Sequence, residues 1–131
     1  MEFLILRVFL FKSFVRFQRK ENIPDDALRQ AIHRAERGLI DADLGGGLIK
    51  QRIARAGKGR SSGYRVVIGY REATRAVFLL GFAKSPMSNV SPDELEALRD
   101  IGHTLLAASD AELDMMQIEG RMSELNDGDD V

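Results

Sequence analysis

The 131-residue chain contains no cysteine, only two histidines and only three prolines. Without cysteine there are no disulfides and no thiolate metal ligands, and the chain suits a reducing cytoplasm. His33 and His103 cannot build a structural zinc site between them, so neither a metal nor a cofactor is expected. Long hydrophobic runs are missing too. The opening MEFLILRVFLFK is too short to span a bilayer, Arg7 interrupts it, and no small-residue cleavage site follows. It reads as a buried strand, and no membrane partner is expected.

One further absence is the most informative. Between Leu44 and Arg71 there is no acid at all, while Lys50, Arg52, Arg55, Lys58, Arg60, Arg65 and Arg71 supply seven cations. The near-neutral formal charge of −1 hides a sharp segregation. Residues 1–90 hold 17 Lys+Arg and 8 Asp+Glu, whereas residues 91–131 hold 2 and 12. Such a split implies a basic surface with an anionic partner, and nucleic acid is the obvious polyanion.

The apolar run Val8–Phe11 predicts a central strand. Ser13 is positioned to cap a short helix to about Lys20, with Phe14 and Phe17 on one face. Pro24, Asp25 and Asp26 open a second helix whose stripe is Ala27, Leu28, Ala31, Ile32 and Ala35, and Gly38 stops it. Asp41–Gly47 reads as a loop, and nothing near Asp41 and Asp43 completes a metal ligand set. Three strands follow. Over 48–55, Lys50 and Arg52 share one face and Ile49 and Ile53 the other. Over 64–71, Arg65, Val67, Gly69 and Arg71 oppose Tyr64, Val66, Ile68 and Tyr70. The run 77–82 is almost wholly apolar and belongs mid-sheet, joined to its predecessor as an antiparallel hairpin through Glu72-Ala73-Thr74. Ser91-Pro92-Asp93-Glu94 is a helix start, with Leu95, Leu98, Gly102, Leu105 and Leu106 on the inner face. Asp110 is read as the cap of another helix to about Glu119, and NDGDDV as a frayed end. The expected fold is α+β: strand, two helices, three antiparallel strands, then C-terminal helices. Residues 1–109 read as the domain proper and 110–131 as an acidic helix and tail that could shield the basic face.

The segment GKGRSSGYR (57–65) has the glycines of a phosphate-binding loop but not its context. A dinucleotide fingerprint must open a helix, and here Tyr64-Arg65-Val66-Val67-Ile68 is a β-branched run that favours a strand. Its glycines and serines read instead as turn chemistry. Neither histidine has an obvious serine and carboxylate partner for a nucleophilic triad, and the central strands carry no acid for a paired-carboxylate site. Cations alone can still act on RNA. Attack by a ribose 2′-hydroxyl builds charge on a crowded phosphorane, which an arginine fork can hold, and a lysine among other cations is easier to deprotonate.

RSSGYR (60–65) followed by an apolar strand resembles the RelE/ParE superfamily of toxins from type II toxin–antitoxin pairs. ERGLIDADLGGGLIKQRIAR, GRSSGYR and AVFLLGFAKS together resemble its HigB-like branch over about residues 7–108. The resemblance implies a RelE-like microbial RNase fold and a metal-independent, ribosome-dependent mRNA endonuclease. It also implies neutralisation by a cognate antitoxin of helix-turn-helix type. By that resemblance Arg65 is the transition-state arginine, Lys50 and Arg52 are the basic pair on the preceding strand, and Lys84 is the cation after the last strand. Arg60 matches a cation before the serine pair, and Arg55, Lys58 and Arg71 join it as RNA contacts. Ser85 and Ser91 stand where some members carry an arginine and an aromatic. Two other readings share the fold: a ParE-like inhibitor of DNA gyrase, and a nucleic-acid-binding domain without catalysis.

Overall fold

The computed structural model describes residues 6–55, 59–83 and 90–125. Six strands and four helices follow one another as β1 (Arg7–Phe11), α1 (Lys12–Glu21), α2 (Asp25–Glu36), β2 (Ala42–Gly45), β3 (Leu48–Arg55), β4 (Gly59–Arg71), β5 (Arg75–Ala83), α3 (Pro92–Ala107), α4 (Asp110–Ile118) and β6 (Met122–Leu125). The strands form one sheet in the order β2-β3-β4-β5-β1-β6. All neighbours are antiparallel except β1 and β5. The expected α+β class, the buried first strand and the β4–β5 hairpin are all present.

The sheet separates two apolar clusters. On one face Phe14 of α1 and Leu28, Ala31 and Ile32 of α2 pack against Val8, Ile49, Ile53, Val66, Ile68 and Phe78. On the other, Leu105 of α3 and Leu113 of α4 pack against Phe9, Leu48, Val67, Val77 and Leu79. Gln51 lies wholly buried on the first face. Its amide donates to the carbonyls of Ala31 and Leu39 (both 3.1 Å), and its oxygen accepts from the Asp41 amide (2.8 Å). One side chain thereby ties α2 and the following link to β3, with no polar atom left stranded.

Local signals differ from expectation at several points. α1 begins at Lys12, and Phe11 occupies its N-cap without a side-chain bond, because the backbone runs straight from β1 into the helix. Ser13 is therefore inside the helix. Pro24 is the N-cap of α2 rather than part of its first turn. α3 has the expected capping box between Ser91 and Glu94, but at α4 the box is Ser109 with Glu112, one residue before the expected Asp110. The DADLGGG segment contains β2, whose irregular register allows Gly45, Gly46 and Gly47 to turn at positive φ. RSSG is strand rather than turn: β4 starts at Gly59, opposite Arg55. Register slips there, since β3 advances only from Ile53 to Arg55 while β4 runs back from Tyr64 to Gly59. A β-bulge of this kind absorbs extra residues within a strand.

The segment after residue 109 contributes a helix to the second cluster and an edge strand, β6, paired with β1. Among the described residues, the ion pairs of its acids go to Arg7, Arg75 and Arg121. Glu124 takes a paired contact from Arg7 (2.8 and 2.9 Å), and Asp110 and Asp114 accept from the same guanidinium. The hydrogen bonds to Glu124 above all, and then to Asp114, hold Arg7 charged far beyond its ordinary range. Glu112 is engaged in its capping box and Glu119 pairs with Arg121. The expected shielding of the basic face is thus not what the described acids of this segment do.

Arg75, almost fully buried, closes the end of α3. Its Nη1 donates to the carbonyls of Leu105 (2.8 Å), Leu106 (3.2 Å) and Ala108 (2.6 Å), and its Nη2 to Asp110 (3.1 Å). A helix C-terminus leaves carbonyls without partners, and a cation is the favoured neighbour there. Arg75→Met should therefore cost about 3 kcal/mol, because the carbonyls remain buried without their donor. Urea denaturation measures this, and a cost under about 1 kcal/mol would show that water replaces the guanidinium.

Candidate nucleic-acid interface

The second face of the sheet is only partly roofed. Leu48 lies directly beneath α3: a Cβ on Gly102 would come within 2.8 Å of its Cδ2. Gly69 of β4 faces the same helix, 3.7 Å from the Gly102 Cα by the same construction. Further along β3, Lys50 and Arg52 follow Leu48 on this face, the first half-buried and the second exposed. On β4 the alternation carries the face from Gly69 through buried Val67 to half-buried Arg65. Antiparallel register sets Lys50 opposite Val67 and Arg52 opposite Arg65. Directly opposed residues share a face with Cβ atoms about 5 Å apart, so Lys50, Arg52 and Arg65 form one patch beside the roof.

β5 supplies the apolar part of this patch by an irregularity. Val67 pairs with Leu80, but the adjacent Ile68 pairs with Phe78, leaving Leu79 as an extra residue. Before the bulge Phe78 joins the α1–α2 cluster; after it Leu80 and Phe82 join the α3 side. Gly81 then points the other way, where a Cβ would meet the Phe17 ring at 2.3 Å. The bulge thus turns Phe82, half-buried and opposite Arg65, onto the cationic face. Strict alternation from Phe78 would have sent Phe82 to the core. In a nearly all-apolar strand the sequence carries no signal of this switch.

Asp41, read from sequence as an ordinary loop residue, also belongs here. Its Oδ2 accepts the Arg52 backbone N–H (2.7 Å) and its Oδ1 lies 3.7 Å from Arg52 Nε. Like charges directly opposite across a sheet are unfavourable. Asp41 offsets this on the β3 side, while Arg65 Nη1 lies 3.4 Å from the Tyr64 carbonyl oxygen. The phenols of β4 are turned away from the patch. Tyr64 donates to Glu21 (3.0 Å) and Tyr70 to Glu36, both on the α1–α2 side. Burial first, and then the hydrogen bond to Glu36, pushes the Tyr70 phenol well above its ordinary range. Neither phenol is placed to exchange protons with the cationic patch.

The remaining sequence candidates divide into two groups. Arg71 is exposed at the far end of β4, opposite Arg75 and roughly 20 Å along the strand from Arg65; the fold does not bring it to the patch. The backbones of Arg55 and Arg60 lie in β3 and β4, towards the Arg65 end, with their side chains outside the described residues. Lys58, Lys84 and Ser85 lie outside the described residues altogether. Ser91 is spent on the α3 cap. Among the described residues no group of His, Cys, Asp and Glu could hold a metal ion, and no helix is long and apolar enough to cross a membrane.

A family model described as the RelE toxin of the RelE/RelB toxin–antitoxin system matches residues 6–125. The chain belongs to the RelE toxin family. It is a toxin of a toxin–antitoxin pair, with a cognate antitoxin as its partner, and its six-stranded α+β architecture agrees with a RelE-like fold. The match runs through α4 and β6, so it includes part of the acidic C-terminal segment. No curated protein sequence matches this RelE-family chain.

The opposition of Arg52 and Arg65 has a measurable consequence. Arg65→Gln should leave stability within about 0.5 kcal/mol of wild type or raise it at low salt, since it relieves a like-charge contact. Added salt should stabilise the wild type more than the variant by screening that contact. Urea titrations at low and high ionic strength read both effects. A loss of more than about 1 kcal/mol in the variant would mean that Arg65 is structural.

Proposed function

We propose that this RelE-family toxin is a ribosome-dependent mRNA endoribonuclease of the HigB-like branch, which blocks translation by cutting mRNA. The observation that carries the reading is the convergence of Lys50, Arg52 and Arg65 with Phe82 on one open sheet face. A single-stranded nucleic acid needs cations for its phosphates and an aromatic face for a base. Phe82 beside Arg65 provides both within one cross-strand pair.

The chemistry proposed is metal-independent. The ribose 2′-hydroxyl attacks the adjacent phosphorus, forming an O2′–P bond and giving up its proton. The P–O5′ bond then breaks, the 5′-oxygen takes a proton, and a 2′,3′-cyclic phosphate remains. Arg65 is assigned to the equatorial phosphorane oxygens, where a planar fork can reach two of them. Arg52, steadied by Asp41, is assigned to the neighbouring phosphate. Lys50, and Lys84 after β5, are assigned to proton transfer and charge neutralisation. Arg55, Lys58 and Arg60 are proposed as grips on the flanking strand, with Arg71 contacting RNA at the other end. The reaction depends on a partner that holds the 2′-hydroxyl in line, which the ribosome would supply. The antitoxin is proposed to be of the helix-turn-helix type and the site of action to be cytoplasmic.

Induced expression with primer extension on cellular mRNA tests this directly. New 5′ ends within translated messages and growth arrest are expected. Arg65→Ala should reduce cleavage by about 100-fold or more. Phe82→Ala should weaken RNA binding by about 1–3 kcal/mol through lost stacking. DNA damage without new 5′ ends would point instead to a ParE-like gyrase inhibitor. RNA affinity without cleavage, even on ribosomes, would leave the non-catalytic reading.

A further inference from the structure

Five large apolar side chains stand exposed among the described residues: Leu39, Ile40, Ile101, Met115 and Ile118. They fall into two groups. Leu39 and Ile40 lie in the link between α2 and β2. The backbone is pinned there. The Leu39 N–H donates to the Arg34 carbonyl (2.8 Å), and the Leu39 carbonyl accepts from buried Gln51 (3.1 Å). Leu39 is nonetheless 55% exposed, so a fixed backbone holds an apolar knob out in water. Arg37 is exposed two residues before it and forms no ion pair with a described residue.

The second group borders a groove between α3 and α4. Phe11, Ile101, Leu105 and Met116 supply the apolar lining of this cavity of about 290 Å³. α4, which contributes Met116, also exposes Met115 and Ile118. The rim is acidic. Asp100 lines the groove, and Glu96 lies one turn earlier on the same side of α3. Both are exposed, and neither forms an ion pair with a described residue. Arg121, the cation at the rim, is already taken by Glu119 (3.2 Å). The knob is beside β2, and Phe11 of the groove pairs with β6. β2 and β6 are the outer strands of the sheet. At about 4.8 Å per strand spacing the two sites are roughly 20 Å apart, so one folded chain does not bring them together.

We propose that the α3–α4 groove receives the Leu39–Ile40 knob of a second copy of this chain, with Arg37 of that copy set against Asp100 and Glu96. The contact joins two different surfaces, so it is heterologous. Each copy keeps an empty groove at one end and an unused knob at the other, and copies add head to tail. Charge complementarity selects this occupant. A symmetric pairing of two grooves would set Asp100 and Glu96 against like charges. The same acids oppose an anionic membrane surface. The knob is ordered before docking, so little conformational entropy is lost on association. The contact is small, which makes the association weak and reversible. The proposal does not rest on the cleavage reading, since neither site includes Lys50, Arg52 or Arg65.

Sedimentation velocity of the full chain, over a wide range of protein concentrations and at low and high salt, is the test. The mass of the wild type should rise with concentration, and added salt should weaken the association by screening Arg37 from Asp100 and Glu96. Arg37→Gln should reduce that salt effect. Leu39→Gln removes the knob and leaves the groove, while Ile101→Gln impairs the groove and leaves the knob. Each variant alone should associate at least about tenfold more weakly than the wild type. Both side chains are exposed, and an unchanged circular-dichroism melt verifies the fold. An equimolar mixture of the two variants should regain association but stop at the heterodimer, because one intact knob meets one intact groove. Neither a misfolded variant nor a symmetric interface gives that result. A wild type that stays monomeric at every concentration would overturn the proposal, as it would if the groove accepted only the antitoxin. Association lost in Ile101→Gln but kept in Leu39→Gln, or a mixture that fails to associate, would overturn it as well.

Discussion

β4 hydrogen-bonds to β3 along one edge and to β5 along the other, over most of its length from Gly59 to Arg71. Each of its side chains is thereby committed to one face of the sheet, and its neighbours' side chains are committed with it. Val66 and Ile68 enter the cluster under α1 and α2, while Val67 enters the cluster under α3. Gly69 lets α3 approach the strand closely. Where the roof ends, the same alternation brings Arg65 into the open beside Arg52. A one-residue slip in the β3–β4 register would turn every one of these side chains to the wrong face, so the apolar packing and the cationic patch are held by the same pairing.

That arrangement carries an energetic conflict that the structure resolves locally. Arginines opposed across two strands repel, and burying Arg65 halfway makes the repulsion harder to screen. Asp41 reaches Arg52 from the link before β2, and Gln51 fixes that link by accepting the Asp41 amide. The other large charge concentration is managed separately. Asp110, Asp114 and Glu124 close on Arg7 and Arg75 at the β1–β6 side. Acid and base are segregated along the chain, and the fold joins them at one side of the sheet while leaving cations uncovered on both faces.

Much of this architecture could be read in the chain because the relevant signals are local. The continuous apolar runs of β1 and β5, the alternation of β3 and β4 and the Ser91 capping box each follow from neighbours a few residues apart. The same alternation put Lys50 and Arg52 on one face of their strand, and the β3–β4 register then set Arg65 beside them. What escaped were features whose cause lies in a partner distant in sequence. β2 and β6 are four-residue edge strands with no strong pattern of their own, and each exists because β3 or β1 offers an open edge. RSSG looked like a turn because glycine and serine favour turns, yet pairing with β3 draws Gly59 and its successors into the strand.

The sequence by itself determined the class of surface: seven cations without an acid between Leu44 and Arg71, on strands whose period of two shows which of them share a face. It also determined the helices, since their apolar stripes are written within a few turns, although of the expected caps only that of α3 was met. Only the tertiary structure decided what surrounds those cations. The extra residue at Leu79 turned Phe82 towards Arg65, because a bulge depends on the pairing of two strands and not on either one alone. Asp41 was brought to Arg52 by the hydrogen bond that its backbone N–H donates to buried Gln51. The acidic C-terminal segment was directed to Arg7 and Arg75 by β6 pairing with β1, and α1 was set on the opposite face by the burial of Phe14. Periodicity fixes direction within a strand or helix; contact between elements is settled by packing, and a single stretch of chain does not contain it.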